Sequence, residues 1–555
     1  MIVLKIIAVL TSSLLLWASF PPSAQSDSAW LTLVPLMLIT RYCQPKSAFK
    51  WVFFSALIFW VLSLSWFPAI IKNGGPWFLV VLGQVALSAV CALHTAVFAL
   101  CSSMLWQHCD DTPSIKRIAL ILVVDPLLWV GAEYIRGWLF SGFAWNFLGV
   151  SQVRNIALIQ AASVVGVYGV SALVVAVNGA LTSLVARAAA PLARKVLQLD
   201  TPVYSKKWGT RLLTSAESLA PIILVMLVWS WGMKRIQSWE QIEKYQPAWR
   251  IALVQPNTPC VFINNDATMR SQLKLMHEQI KLAAAAAPHL VMLPETAIFG
   301  AIPDDSQTMR FVREAARLSG SALLTGALEV EKTERSASAP AGELYYNAAW
   351  MFAANGTVLG RYHKQHLVPF GEYIPLDKII PALQRLAPTG VSCTAGKEPA
   401  LITLTDGAGR SIKVGSLICF EDTLPSLSRR SRNAGADLLA LMTNDAWFNG
   451  SIEPQQHLNQ SVFRAVECGI PMARAANSGI TCVVDAVGRV RELTSEGRST
   501  DFSGFLLTQV YIPPQPLPTP YTRVGDWALA IPGMMTLLLV AGFAAVKSAH
   551  GLSQV

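Results

Sequence analysis

Two hydrophobic patterns divide this chain. Up to about residue 233, and again over 525–546, apolar residues run nearly unbroken for helical lengths. Between them, short apolar runs alternate with amphipathic stretches. A helix crosses a bilayer with roughly 20 apolar residues. Eight segments meet or approach that length: 2–20, 28–41, 51–71, 77–106, 117–135, 156–186, 219–233 and 525–546. The second is short, while the fourth and sixth are long enough to tilt. Residues 1–20, flanked by Lys5, also have the outline of a signal peptide, but Pro21-Pro22 and a poor small-residue cleavage site favour a retained span.

Residues 247–515 carry the pattern of an α/β domain. The run from Arg250 to Gln255 predicts a buried strand, 267–287 a helix ending in alanines, 289–293 a strand, 306–318 a helix and 322–328 a strand. Further strands are expected near 345–353, 412–419, 437–442 and 472–476, with a helix near 454–467. Such alternation predicts βα units in a layered sheet. Five prolines between Pro513 and Pro520 make a stiff tether. The chain then divides into a seven-span bundle (1–246), the α/β domain (247–515), and the tether with a final span (516–555).

Composition agrees with this division. Hydrophobic residues make up 53% of the chain, charged residues 14%, and the mean hydropathy is +0.43. That is too apolar for an ordinary soluble enzyme of this length. The 18 tryptophans suit membrane–water interfaces. A net charge of +10 does not point to nucleic acid, because much of the excess lies in alternate short loops. These hold Arg41, Lys46 and Lys50; Lys116 and Arg117; and Arg187, Arg194, Lys195, Lys206, Lys207 and Arg211. Positive loops stay cytoplasmic. Both termini are therefore expected in the cytoplasm and the α/β domain outside it, in the periplasm of a Gram-negative cell. The nine cysteines show no metal-ligand spacing. A Cys260–Cys393 disulfide is open to a domain in an oxidising compartment.

The candidate chemistry centres on Cys419, which ends the apolar run Val414-Gly415-Ser416-Leu417-Ile418 and precedes Phe420-Glu421-Asp422. A thiol attacks a carbonyl as thiolate, so it needs a base or a positive neighbour. Glu295 has apolar flanks that would raise its pKa toward neutrality and suit it to take the proton. Lys364, charged at neutral pH, is better suited to stabilise an oxyanion. Each residue taken alone also has an ordinary reading: a core cysteine, a helix-starting Pro-Glu, a solvated lysine.

Taken together and in this order, Pro294-Glu295, Lys364 and Ile418-Cys419-Phe420-Glu421 resemble the Glu-Lys-Cys triad of the nitrilase superfamily. The likeness extends to Asn444-Asp445-Ala446-Trp447-Phe448, Arg464-Ala465-Val466-Glu467 and Arg474-Ala475-Ala476-Asn477-Ser478-Gly479. Within that superfamily, the segments 366–375, 521–527, 133–138 and 142–145 are similar to the apolipoprotein N-acyltransferases of bacterial inner membranes. The resemblance implies an extracytoplasmic nitrilase-like αββα sandwich on a bundle of about eight transmembrane helices. It implies Glu295 as general base, Lys364 as oxyanion-side cation and Cys419 as nucleophile, with Glu372 and Glu421 in support. Phe420, Trp447 and Trp145 are expected beside substrate. The implied donor is a phospholipid, and the implied acceptor is the α-amino group of a diacylglyceryl-cysteine at an apolipoprotein N-terminus, with no cofactor and no metal. Two positions depart from the pattern. Phe420 stands where many relatives carry tyrosine, and the loop over 256–268 offers only Phe262 as its aromatic residue.

Other features are less specific. The long apolar connection over 366–395, with Phe370, Ile374, Ile379, Ile380 and Leu383, is expected to form a lid or arm beside the thiol. Trp447 and Phe448 would line an acyl path or pack as core. Asp125, Glu133 and Arg136 are costly inside a membrane and either brace the bundle or meet a lipid head group. Asp125, before Pro126, is expected to mark a kink; His94 reads as a packing residue. The rival enzyme reading is a membrane-tethered amidase that hydrolyses its thioester with water. A transporter would show broken spans with facing ionisable groups, which are too few here.

Overall fold

The two sequence patterns fold into two different kinds of structure. The computed structural model describes residues 2–109, 114–197, 208–259, 266–302, 307–334, 342–375 and 392–552. One compact unit comprises Met1–Phe67, Phe78–Ile236 and Val524–Val555, and the other Pro68–Trp77 and Gln237–Arg523.

In the first unit the apolar runs become helices. Among the described residues, six are long and apolar enough to cross a membrane: Pro45–Ser63, Trp77–Trp106, Ile115–Arg136, Ala162–Ala189, Leu212–Tyr245 and Pro520–Phe543. Ile2–Ala18 is a shorter apolar helix. The expected span at 28–41 is instead broken into short helices Ala29–Thr32 and Val34–Tyr42. A buried polar side chain explains the break. Asn178 accepts from the Leu33 N–H (2.9 Å) and donates to the Ala29 carbonyl (2.9 Å), replacing bonds of the ladder. The expected kink at Asp125-Pro126 appears as a π-helical turn over Leu120–Val124, as a proline without an N–H would promote.

Charges buried in this unit are met individually. Asp125 accepts from Ser102 Oγ and Trp106 Nε1, both at 2.8 Å. Glu133 accepts from the Leu148 N–H (2.6 Å), and Arg136 donates to the carbonyls of Phe143 (2.8 Å) and Trp145 (2.7 Å). Glu133 and Arg136 thus grip the segment that follows their helix, the bracing role. Gly131 and Gly533 let two helices touch: a Cβ on Gly131 would lie 2.3 Å from the Gly533 carbonyl oxygen.

The second unit holds two sheets. Strands β1 (Ala248–Gln255), β2 (Leu290–Met292), β3 (Ile298–Ile302), β4 (Ala322–Lys332), β5 (Glu343–Phe352), β6 (Val358–His363) and β13 (Gly504–Tyr511) form one, ordered β13-β1-β2-β4-β5-β6 with β3 also on β4. The other is ordered β12-β11-β10-β9-β8-β7, from β7 (Leu401–Thr405), β8 (Ser411–Ile418), β9 (Leu438–Thr443), β10 (Met472–Ala476), β11 (Cys482–Val484) and β12 (Val490–Glu492). Each has a parallel centre, β1-β2-β4 and β8-β9-β10, flanked by antiparallel strands.

Period-two alternation builds the layers. Ile251 and Leu253 of β1 pack inward with Met292, Leu324, Val414, Leu438, Ala440 and Ala473 between the sheets. Ala252 and Val254 point outward onto Met276, Ile280, Val312 and Ala316 of helices Asp266–Ala284 and Gln307–Ser319. Helices Pro425–Asn433 and Glu453–Cys468 contact the second sheet. The result is the expected αββα sandwich, with strand ends gathered at one edge.

Candidate active site

Four segments bring the site together, each leaving a strand at its C-terminal end. That is where ligands bind in parallel sheets. Cys419 follows β8 directly and adopts φ of +52°, a left-handed conformation rare for a residue with a side chain. The turn sets the half-buried thiol off the strand axis. Glu295 lies just beyond β2, Lys364 directly after β6, and Asn444 directly after β9.

Glu295 is held by three groups. Asn347 Nδ2 donates to Oε1 at 2.7 Å, the Asn444 N–H donates to Oε2 at 3.0 Å, and Lys364 Nζ lies 3.5 Å from Oε1. The loop needs a glycine beneath it, because a Cβ on Gly326 would meet Glu295 Cα at 2.7 Å. Lys364 is buried and pairs with Glu372 Oε2 at 2.9 Å. Glu372 also accepts from Asn347 Nδ2 (2.6 Å) and the Val368 N–H (2.8 Å). Asn347 thereby ties both carboxylates, while its own carbonyl accepts from the Lys364 N–H (2.9 Å).

Burial, opposed by Lys364, raises the Glu295 carboxyl above the usual carboxylate range. Burial would depress Lys364, but Glu372 and Glu295 outweigh it and hold the ammonium well above its ordinary value. Burial and then the Glu295 charge push the Cys419 thiol well up, and Lys364 opposes them. The resting arrangement is a protonated thiol facing a basic carboxylate and a fixed cation. Proton transfer from Cys419 to Glu295 would leave a thiolate in the field of Lys364.

Glu421 is a strut. Fully buried, it accepts from Tyr362 Oη (2.8 Å to each oxygen) and from the N–H groups of Gln365 (2.7 Å), His366 (3.1 Å) and Ile418 (2.8 Å). It joins the Lys364 segment to the nucleophile turn. Burial raises its carboxyl to about 7. Phe420 stacks on His366, ring centroids 5.9 Å apart. Trp447 lies in the short turn Asp445–Phe448 after Asn444, and its carbonyl accepts from Asn73 Nδ2 at 2.8 Å. Trp145 belongs to the other unit, where it is buried against Phe143 and Trp66. Of the expected lid, 376–391, including Ile379, Ile380 and Leu383, lies outside the described residues, as do Cys260 and Phe262. Phe370, within the described part, is exposed with φ of +62°.

Asn347 and Tyr362 are the site residues that the sequence argument missed. Asn347 left one signal, a polar amide inside an otherwise apolar strand. The ligand atoms of Asp445, Glu453 and His457 lie within 4.8 Å of one another, a spacing that a metal ion could use. Arg474 Nη2, however, already sits 3.0 Å from Asp445 and 3.1 Å from His457 Nδ1, so this cluster holds its own cation.

Two known domain families match this chain. Residues 12–180 match the apolipoprotein N-acyltransferase N-terminal domain and residues 250–500 the carbon–nitrogen hydrolase domain. A Geobacter metallireducens protein named apolipoprotein N-acyltransferase is 32% identical over 487 residues, covering 87% of this chain and 85% of its own. One of the same name from Methylococcus capsulatus is 30% identical over 529 residues, 93% of this chain and 92% of its own. Among solved structures, an amidase from Nesterenkonia sp. aligns with 50% of this chain and 92% of its own at 21% identity, with a TM-score of 0.33. The paired domain matches and relatives that align almost end to end show that the chain belongs to the apolipoprotein N-acyltransferase family.

Proposed function

We propose that the protein moves an acyl chain from a phospholipid to the α-amino group of an N-terminal diacylglyceryl-cysteine on apolipoproteins, through a thioester on Cys419. The observation that carries this reading is the meeting of Glu295, Lys364 and the Cys419 turn at one sheet edge, in an enzyme of an acyltransferase family.

In the first half-reaction, Cys419 Sγ attacks the ester carbonyl as Glu295 takes the thiol proton. The tetrahedral oxyanion faces the Lys364 ammonium. Collapse breaks the ester C–O bond, and the leaving oxygen takes the proton back from Glu295, releasing a lysophospholipid. In the second, the acceptor amine attacks the thioester, Glu295 removes its proton, and the thiolate leaves to be reprotonated. Glu372 keeps Lys364 charged and fixed, and Glu421 holds the nucleophile turn. Phe420 and Trp447 are assigned to substrate contact.

The chain is a membrane protein with several apolar helices. We place it in the inner membrane, with both termini cytoplasmic and the catalytic unit periplasmic. The basic loops around Arg41, Lys116 and Arg187 support that orientation.

Purified protein incubated with phospholipid should carry a hydroxylamine-labile acyl adduct on the peptide containing Cys419. Mass spectrometry would detect it. An undiminished adduct in Cys419→Ala would overturn the mechanism. Addition of a diacylglyceryl-cysteine peptide should yield acylated peptide; release of free fatty acid with unmodified peptide would instead mean hydrolysis.

A further inference from the structure

Beside the reactive residues lies a second buried cluster of charge that the proposed reaction does not use. Asp422 belongs to the turn that starts with Cys419. It accepts from His457 Nε2 (2.8 Å), from Arg474 Nη1 (3.1 Å) and from Ser461 Oγ. Asp445 follows Asn444. It accepts from Thr443 Oγ1 (2.7 Å), Arg474 Nη2 (3.0 Å) and His457 Nδ1 (3.2 Å). Arg474 Nε donates to the Ile480 carbonyl at 3.2 Å. Asp422, Asp445, His457, Ser461 and Arg474 are all buried.

The two cations therefore each bridge the same two aspartates. Arg474 reaches them from β10, and His457 from helix Glu453–Cys468. The aspartates sit in different loops, at the ends of adjacent parallel strands β8 and β9. One loop carries the nucleophile. The other carries the Asn444 N–H that holds Glu295 Oε2.

We propose that Arg474 and His457 are positioning residues: they clamp the Cys419 turn and the Asn444 loop together, and so keep the base aimed at the thiol. This inference rests on the assignment of Glu295 as base. It differs from a general stabilising role in what it does to that base. A loosened clamp moves the Asn444 N–H away from Glu295 and removes a donor that favours its charged form. The other groups facing Glu295 are Lys364, Glu372, Asp445, Cys419 and Cys393, with Asn347 as the second hydrogen-bond donor. Lys364, Glu372 and Asn347 lie outside the clamp and keep their places when His457 is changed, whereas Asp445 and Cys419 belong to the segments it holds.

The test follows acylation of Cys419 in a single turnover, using the full-length protein in nanodiscs of phosphatidylethanolamine and phosphatidylglycerol, from pH 5 to pH 9. His457→Gln is expected to slow acylation at neutral pH by about tenfold or more. It should also move the acid limb of the profile to higher pH, so that the deficit shrinks as pH rises. Arg474→Lys, which keeps the charge without the fork, should fall between wild type and His457→Gln. A folded His457→Gln enzyme with an unmoved acid limb, or with a uniform loss at every pH, would overturn the clamp. Where His457→Gln does not fold, Ser461→Ala removes one donor to Asp422 at constant charge. It should show the same shift at smaller size, and an unmoved limb there overturns the clamp equally. An unacylated wild type overturns the reaction and the clamp with it, whereas an acylated wild type with unshifted variants overturns the clamp alone.

Discussion

Two buried clusters of charge lie in the catalytic unit, and they differ by one cation. Around the thiol, the carboxylates of Glu295 and Glu372 share the single ammonium of Lys364. Behind it, Asp422 and Asp445 share both Arg474 and His457. Burying charge is expensive unless it is matched. In the balanced cluster, burial works against Asp445, but Arg474 and His457 hold its carboxyl well below the usual range. In the unbalanced one, burial prevails over Lys364 and Glu295 stays above it. The odd cluster keeps Glu295 ready for a proton; in the even cluster Asp445 stays charged, while Glu453, 3.6 Å from His457, is pushed up to about 8 by burial and the Asp445 charge. The same residue types thus serve reaction in one place and alignment in the other.

The largest loss is expected from deleting the shared cation. Lys364→Met leaves two carboxylates facing each other with no counter-charge. We expect acylation of Cys419 to fall by about 10³-fold, as when oxyanion stabilisation is lost. Loss of one buried partner also costs about 3–5 kcal/mol of stability. Single-turnover rates and thermal unfolding in one detergent would measure both. A variant that keeps a tenth of the activity would remove Lys364 from its role.

The balanced cluster predicts a pH dependence of stability instead. Burial would depress His457, but Asp422 and Asp445 prevail and raise it to about 10, against about 6.5 in an unfolded chain. The folded state thus binds this proton more tightly. Its contribution is complete below about pH 6.5 and is lost as pH climbs toward about 10. The wild-type Tm should fall over that window, and His457→Gln should flatten the fall. Equal slopes would mean that the imidazole is neutral in the fold.

Much of this was legible in the sequence, for reasons that vary with the element. β1 was recognisable because both of its faces are buried, so its apolar run is unbroken. β13 was not. It pairs with β1 along its whole length, yet its outer face is solvated and Thr508 and Gln509 interrupt the pattern. β6 was hidden by Gly360 and Arg361. In the bundle, the break near Leu33 depends on Asn178, 145 residues away, and no local pattern carries it. Glu295, Lys364 and Cys419 were legible through their neighbours in sequence. Asn347 was not, because its role comes from register: β5 pairs it with Leu328, and its carbonyl meets the Lys364 N–H. Arg474 stood in a legible motif, but its partnership with His457 and two aspartates exists only once β8, β9 and β10 are side by side.

Hydrogen-bond deletions around the two clusters should have smaller effects. Asn347 donates to both carboxylates of the odd cluster, at 2.7 and 2.6 Å. A hydrogen bond to a charged group contributes about 1.5–3 kcal/mol, so Asn347→Ala should slow acylation by about 10- to 100-fold. It should also move the acid limb to higher pH, because Glu295 loses a donor to its charged form. A slower enzyme with an unmoved limb would assign Asn347 to Glu372 alone.

Asn73 should matter least. It lies in Pro68–Trp77, the segment between two apolar helices that folds with the catalytic unit, and its amide donates to the Trp447 carbonyl at 2.8 Å. The loop beyond β9 is therefore tied twice, by Asn73 at Trp447 and by the balanced cluster at Asp445. A neutral hydrogen bond contributes about 0.5–1.5 kcal/mol, which predicts a loss of about 2- to 10-fold for Asn73→Ala. The acid limb should stay where it is, since Arg474 and His457 still hold Asp445 and, through it, Asn444. A larger loss than that of Asn347→Ala, or a shifted limb, would mean that the loop takes its alignment from the bundle-derived segment rather than from the charges behind it.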